Sequence, residues 1–263
     1  MSIFAVALAA LQLSTNWSGY VASTPVGSPA PLTFTQATGS WRVPKVVCTR
    51  GGTSAAFWVG IGGSTPLAPA LEQLGTSADC EPNGAPHYRA WTEIVPDPAN
   101  FISLEVRPGD LITAALVVQG QMVTMSLANQ TTRKRYSTRV AVQQAVDTSS
   151  AEWIAEAPSL CRSQAACDVV PLSNFRTVGF TNIAVTANGH TGVLADPAWL
   201  LTPLALISSS GAVHYTAKSN ASGAVPNPIS STGRAFSIGY RTTLTSTVPP
   251  APLPGAPLPD FVH

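Results

Sequence analysis

The stretch "FISLEVRPGDLITAALVV", residues 101–118, alternates apolar and polar residues on either side of "RPGD". A period of two is the signature of a half-buried strand, and Pro-Gly-Asp is turn chemistry. The same pattern recurs in "QMVTMSLANQ" (121–130), "RTVGFTNIAVTANG" (176–189), "AVHYTAKS" (212–219) and "RAFSIGYRTT" (234–243). Turn residues separate these segments, and no stretch shows a capped 3.6-residue period. The expectation is an all-β chain built as an antiparallel β-sandwich of two large sheets, of the concanavalin A-like jelly-roll kind.

One domain is expected over residues 14–245. The apolar start, "MSIFAVALAALQL" (1–13), is too short to span a bilayer. It reads as a signal or propeptide remnant, or as a first strand. The Pro-rich end, 246–263, reads as an extended tail.

The formal net charge is +1 and 10% of the 263 residues are charged, which gives no reason to expect a nucleic-acid or membrane partner. The basic run "RKRYSTR" (133–139) reads as a solvated hairpin arm. A chain with few ionisable groups changes charge little on acidification, which suits an acidic setting. Cys48, Cys80, Cys161 and Cys167 lack zinc-type spacing. Cys161–Cys167 is the easiest local disulfide, and Cys48–Cys80 then follows by elimination; four buried thiols are the alternative. No metal or cofactor motif is present. His87, His190, His214 and His263 are scattered, and no G-x-S-x-G elbow exists.

The carboxylates therefore carry the interest. "AEWIAEAPSL" (151–160) sets Glu152 and Glu156 among Ala, Trp and Ile. Read as a strand, the segment puts both acids on one face and Trp153 on the other, with the acids about 13 Å apart. That is too far for them to be a glycosidase pair with each other. Glu152 reads as a structural hydrogen-bonding group. Glu93, two residues after Trp91, shares the face of that tryptophan if its segment is a strand. Glu81 and Glu105 read as solvated.

"STNWSGYV" (14–21), "WVGIGG" (58–63), "ALEQLGT" (70–76), "YRAWTEIVP" (88–96) and "AEWIAE" (151–156) occur in an order that resembles the glutamic peptidases, or eqolisins, of bacterial type. The resemblance runs from about Asn16 to about Thr243. It implies a secreted, acid-active endopeptidase, monomeric and cofactor-free, that cleaves polypeptides through an activated water. It places the catalytic pair on Gln73 and Glu156, with Trp58, Trp91 and Glu93 lining the substrate cleft. Gln73 stands one residue further from Trp58 than in fungal members, and Gly62 stands where those members carry Asp. An ordinary Glu titrates near 4.3, so acid–base exchange is natural in moderate acid. A neutral Gln amide can orient water and stabilise an oxyanion at any pH. Two alternatives stand beside this reading. One is a jelly-roll glycoside hydrolase using Glu93 and Glu156; the other is a non-catalytic binding sandwich.

Overall fold

The structure is a computed structural model, and residues 8–65, 68, 70–163, 166–207 and 221–244 are described. Its strands are β1 (Gln12–Ser14), β2 (Trp17–Ser23), β3 (Phe34–Arg42), β4 (Ala56–Gly62), β5 (Leu71–Cys80), β6 (Pro86–Val95), β7 (Asn100–Ile102), β8 (Leu111–Gln119) and β9 (Met122–Asn129). They continue as β10 (Lys134–Ala141), β11 (Ser150–Glu156), β12 (Ser159–Ser163), β13 (Ala166–Val169), β14 (Thr177–Ala187), β15 (His190–Gly192), β16 (Leu200–Ile207), β17 (Ala221–Pro226) and β18 (Phe236–Leu244). No described residue is helical.

The hydrogen-bonded order is β10-β9-β8-β3-β14-β18-β17-β16-β2-β11-β4-β5-β6-β7. Strands from its two halves also pack against each other, β3 on β4 and β11, β8 on β4 and β9 on β5, so the halves face each other as the layers of a sandwich. Indole hydrogen bonds tie the layers together. Trp153 on β11 donates Nε1–H to the Thr38 carbonyl on β3 at 2.9 Å, and Trp41 on β3 donates to Thr76 Oγ1 on β5 at 2.9 Å. Both rings lie in the main core with Phe57, Phe175, Phe180 and Trp199, all at most 1% exposed. A buried indole that finds an acceptor loses little on leaving water, so these bonds fix the approach of the layers.

The alternation in 111–118 survives intact: buried and half-buried residues alternate along β8, and β9 does the same. "FISLEV" behaves differently. Only Asn100–Ile102 pairs, although Leu104 and Val106 remain buried around exposed Glu105. The period of two persists there without a ladder, because this segment carries the chain from β7 at one end of the strip to β8 in the other half. The turn "RPGD" forms as expected: Gly109 adopts φ 91° and Asp110 Oδ2 accepts the Arg107 N–H at 2.9 Å. In β14 the alternation breaks at Thr181–Asn182, where Asn182 has φ 53° and the register to β3 shifts. That is a β-bulge, and it turns two successive residues outward.

The basic run lies largely on β10, whose residues are mostly exposed, in a hairpin with β9. From the apolar start, Gln12–Ser14 pairs parallel with β16, and Leu8 bridges Leu201. The tail 246–263 and the segment "AVHYTAKS" lie outside the described residues. Cys48 and Cys80 form a disulfide. The backbones of Cys161 and Cys167 stand opposite each other in the β12–β13 hairpin, while their side chains lie outside the described residues.

The Cys48–Cys80 bond closes a loop across 32 positions of sequence. Replacing both cysteines by alanine is expected to cost about 2–4 kcal/mol, read as a lower denaturant midpoint with an unchanged native spectrum.

Candidate active site

Directly opposed residues in an antiparallel ladder point to the same side. Across β2, β11, β4, β5 and β6 this gives three successive rows on one face. The first is Val21, Glu152, Gly60, Gln73 and Glu93. The second is Gly19, Ile154, Trp58, Gly75 and Trp91. The third is Trp17, Glu156, Ala56, Ser77 and Arg89. All five site residues expected from the sequence therefore share one face, and it is the face turned away from Trp153 and the main core. Glu72 points the other way, so Gln73, and not its neighbour, meets Glu93.

That outer face is itself an apolar cluster. Trp17, Val21, Ala56, Trp58, Leu71, Trp91, Ile154 and Leu204 are buried there, apart from the main core. The indoles of Trp17 and Trp58 meet edge-on at 5.0 Å. Within this surround Gln73, Glu152 and Glu156 have no exposed surface and Glu93 has 2%.

Trp58 occupies the centre. Its indole N–H donates to Glu156 Oε2 at 2.7 Å. The far edge of its ring lies over Gly60, where a Cβ would come within 2.7 Å of Cζ3. Gly75 leaves room for the stem of the same side chain. The indole thus spans the diagonal from Glu156 to the row of Gln73. Asn16 Nδ2–H donates to the other oxygen of Glu156 at 3.1 Å. Gln73 Nε2–H donates to Glu93 Oε2, and Gln73 Oε1 has no hydrogen-bond partner among the described residues.

Burial pushes the Glu156 pKa up to about 8, against the lowering pull of Trp58, Trp17 and Asn16. The expectation of an ordinary carboxylate near 4.3 is corrected by this: loss of water outweighs the donors. Burial likewise raises Glu72 to about 8, helped by the charge of Asp147, and lifts Glu152 well above its ordinary value. Among the described residues neither Glu152 oxygen has a partner in ordinary hydrogen-bond geometry, and the expected structural hydrogen bonding is reduced to the pull of the Ser150 hydroxyl, which lowers the raised pKa.

The glycine at 62 has a steric reason. It adopts φ 83°, and a Cβ there would come within 2.5 Å of the Asp147 carbonyl oxygen and 2.7 Å of the Asp147 Cβ. Asp147 instead accepts the N–H of Gly63 at 2.8 Å and that of Ser149 at 2.9 Å. Sequence reasoning missed Asn16 and Asp147 as neighbours of the site, because each meets its partner across more than eighty positions of sequence, Asn16 with Glu156 and Asp147 with Gly63. At the β6 end, Arg89 stacks on Phe101 at 3.8 Å and pairs with Asp79 at 2.9 Å. Among the described residues no group of three His, Cys, Asp or Glu side chains is arranged to hold a metal ion.

The sequence pattern of the Peptidase A4 family matches residues 15–225. A crystal structure of scytalido-glutamic peptidase with a transition-state analogue inhibitor is similar at 23% identity and a TM-score of 0.68, over 86% of this chain and 98% of that one. A structure of SCP-B, a member of the eqolisin family, in complex with the tripeptide Ala-Ile-His is similar at 21% identity and a TM-score of 0.60, over 86% and 98%. These structural likenesses bear out the β-sandwich. A search of curated protein sequences finds no match.

Buried acids make stability depend on pH in a definite direction. The folded chain holds protons on Glu72, Glu152 and Glu156 at pH values where the unfolded chain, with carboxyls near 4.5, has released them. Stability is therefore full below about pH 4.5 and declines as pH rises toward about 8. Thermal melts across this range should show that decline. Glu72→Gln and Glu152→Gln, which are neutral at every pH, should each flatten it and raise the melting temperature at neutral pH.

Proposed function

The chain belongs to the Peptidase A4 family, and from that premise we propose that it is an acid-active endopeptidase working outside the cell through Glu156 and Gln73. Membership in a peptidase family sets aside both the glycosidase and the non-catalytic sandwich. The observation that carries the assignment is the position of Trp58. Its indole holds Glu156 at one end and overlies the row of Gln73 at the other.

A carboxyl with a pKa of about 8 enters the reaction protonated throughout the acid range. It therefore serves first as an acid, while its second oxygen serves as a base. Water attacks the scissile carbonyl carbon and passes one proton to a Glu156 oxygen. The other Glu156 oxygen gives its proton to the carbonyl oxygen, and a neutral gem-diol results. In the second half Glu156 protonates the leaving nitrogen and the C–N bond breaks. A gem-diol hydroxyl returns a proton to Glu156, which ends as it began.

Gln73 complements this without any charge of its own. Glu93 accepts one Nε2–H and so fixes which end of the amide is donor and which acceptor. The unpartnered Oε1 is then available to orient the water, and the second N–H to polarise the carbonyl. Trp58, Trp91 and Trp17 exclude bulk solvent, which strengthens each of these dipoles. The Cys48–Cys80 disulfide fits an oxidising, extracellular setting. The fall of stability with rising pH fits an acidic one.

The test is cleavage of a denatured protein substrate over about pH 2–7. Gln73→Ala and Glu156→Gln are each expected to lose about 100-fold or more in kcat/KM, the scale of a lost oxyanion donor or acid–base group. Full activity in either variant rules out that residue.

A further inference from the structure

Asn16 takes no part in the chemistry above, yet it reaches the group at its centre. It is 5% exposed and sits in the short link between β1 and β2. Its Nδ2–H donates to Glu156 Oε1 at 3.1 Å, opposite the Trp58 bond to Oε2. We propose that Asn16 is the positioning residue of Glu156, an uncharged donor that fixes the plane of the carboxyl and thereby selects the lone pairs left for substrate. This inference rests on the reading of Glu156 as the catalytic acid.

Three features make Asn16 a built support. First, its amide is oriented. The Ser14 hydroxyl donates to Asn16 Oδ1 at 3.4 Å and accepts the Trp17 N–H at 3.0 Å, so the NH₂ end must face Glu156. Second, its backbone is clamped to the same spot. The Asn16 carbonyl accepts the Ala157 N–H at 2.8 Å, next to the Trp17–Glu156 pairing of β2 with β11. Third, the residue type suits the task. Asparagine donates at every pH, whereas an aspartate would repel an ionised partner and a lysine would form an ion pair and hold Glu156 ionised.

Beside Asn16, Trp58 and Trp17 also favour the ionised form of Glu156, and few charged groups face it. The cross-strand neighbours of Glu156 are Trp17 on β2 and Ala56 on β4, neither of which ionises. Beyond Ala56 in the row come Ser77 on β5 and Arg89 on β6, whose guanidinium is paired with Asp79. Glu152 lies four residues back on β11 itself, and the Gln73–Glu93 pair lies beyond Trp58.

The experiment is the pH profile of kcat/KM on a peptide substrate for the full chain carrying Asn16→Ala, Asn16→Asp or Ser14→Ala, with melting temperatures beside it. Loss of the Asn16 donor removes a bond that favours the ionised carboxyl. The limb that reports Glu156 should then move upward by about one pH unit in Asn16→Ala, with kcat/KM down about tenfold. In Asn16→Asp the new carboxyl is protonated below about pH 4 and can donate again, so activity at the acid end should exceed that of Asn16→Ala. Ser14→Ala, which lets the amide turn over, should show a smaller shift of the same sign. It serves as the reading if Asn16→Ala does not fold. A limb that stays in place in the folded variants, with activity tracking melting temperature alone, overturns the proposal. Glu156→Gln separates the two ideas. If it is inactive while Asn16→Ala leaves the limb unmoved, only the positioning role fails; if it is fully active, the catalytic reading of Glu156 fails as well.

Discussion

The ladder register across β2, β11, β4, β5 and β6 is the constraint on which the site depends. A strand turns successive side chains to opposite faces, so a slip of one residue would send Glu156 into the main core and Trp153 out of it. The pairings Trp17–Glu156 and Gln73–Glu93 hold that slip in check from both sides of β4. So do the interlayer bonds of Trp153 and Trp41, which only one register can satisfy. The outer face then carries an apolar ring of tryptophans with a Gln and three Glu residues set into it.

Carboxyls in such a ring are far from water, and that single fact links stability to chemistry. On this face burial raises the pKa of Glu156 in spite of the pull of Trp58, Trp17 and Asn16, and raises that of Glu152 in spite of Ser150; on the opposite face of β5 it raises that of Glu72. The neutral acids are tolerated in acid and become a burden as pH rises. The same desolvation that is expected to weaken the fold as pH rises keeps a proton on the group proposed to deliver one.

Local sequence changes in this scaffold are coupled through space. Gly62 faces a position already filled by Asp147, whose carboxylate caps the N–H groups of Gly63 and Ser149. Gly60 is small because the Trp58 ring lies against it, and Gly75 because the Phe57 carbonyl and the Trp58 Cβ do. Gly62 and Gly75 are thus explained by neighbours from other segments of the chain, and Gly60 by a ring on its own strand.

The sequence by itself determined the all-β class, the turn at "RPGD", the strand at 151–156 and the common face of Glu152 and Glu156. These follow from periodicity and turn chemistry, which are local properties. Ordered motif blocks also picked out Gln73, Glu93, Trp58, Trp91 and Glu156, which the register then brings to one face. The sorting of the tryptophans was legible in part: the strand period put Trp153 opposite the acids and the motif blocks put Trp58 and Trp91 with them, whereas nothing local assigned Trp41 to the main core or Trp17 to the outer face. The fate of "FISLEV" was not legible: its alternation is right, but it leaves the ladder with β6 after Ile102. The raised pKa of Glu156, its hold on Asn16 and the fit of Asp147 beside Gly62 were decided by tertiary structure alone. Each depends on which residues meet across more than eighty positions of sequence, and on how much water that meeting removes.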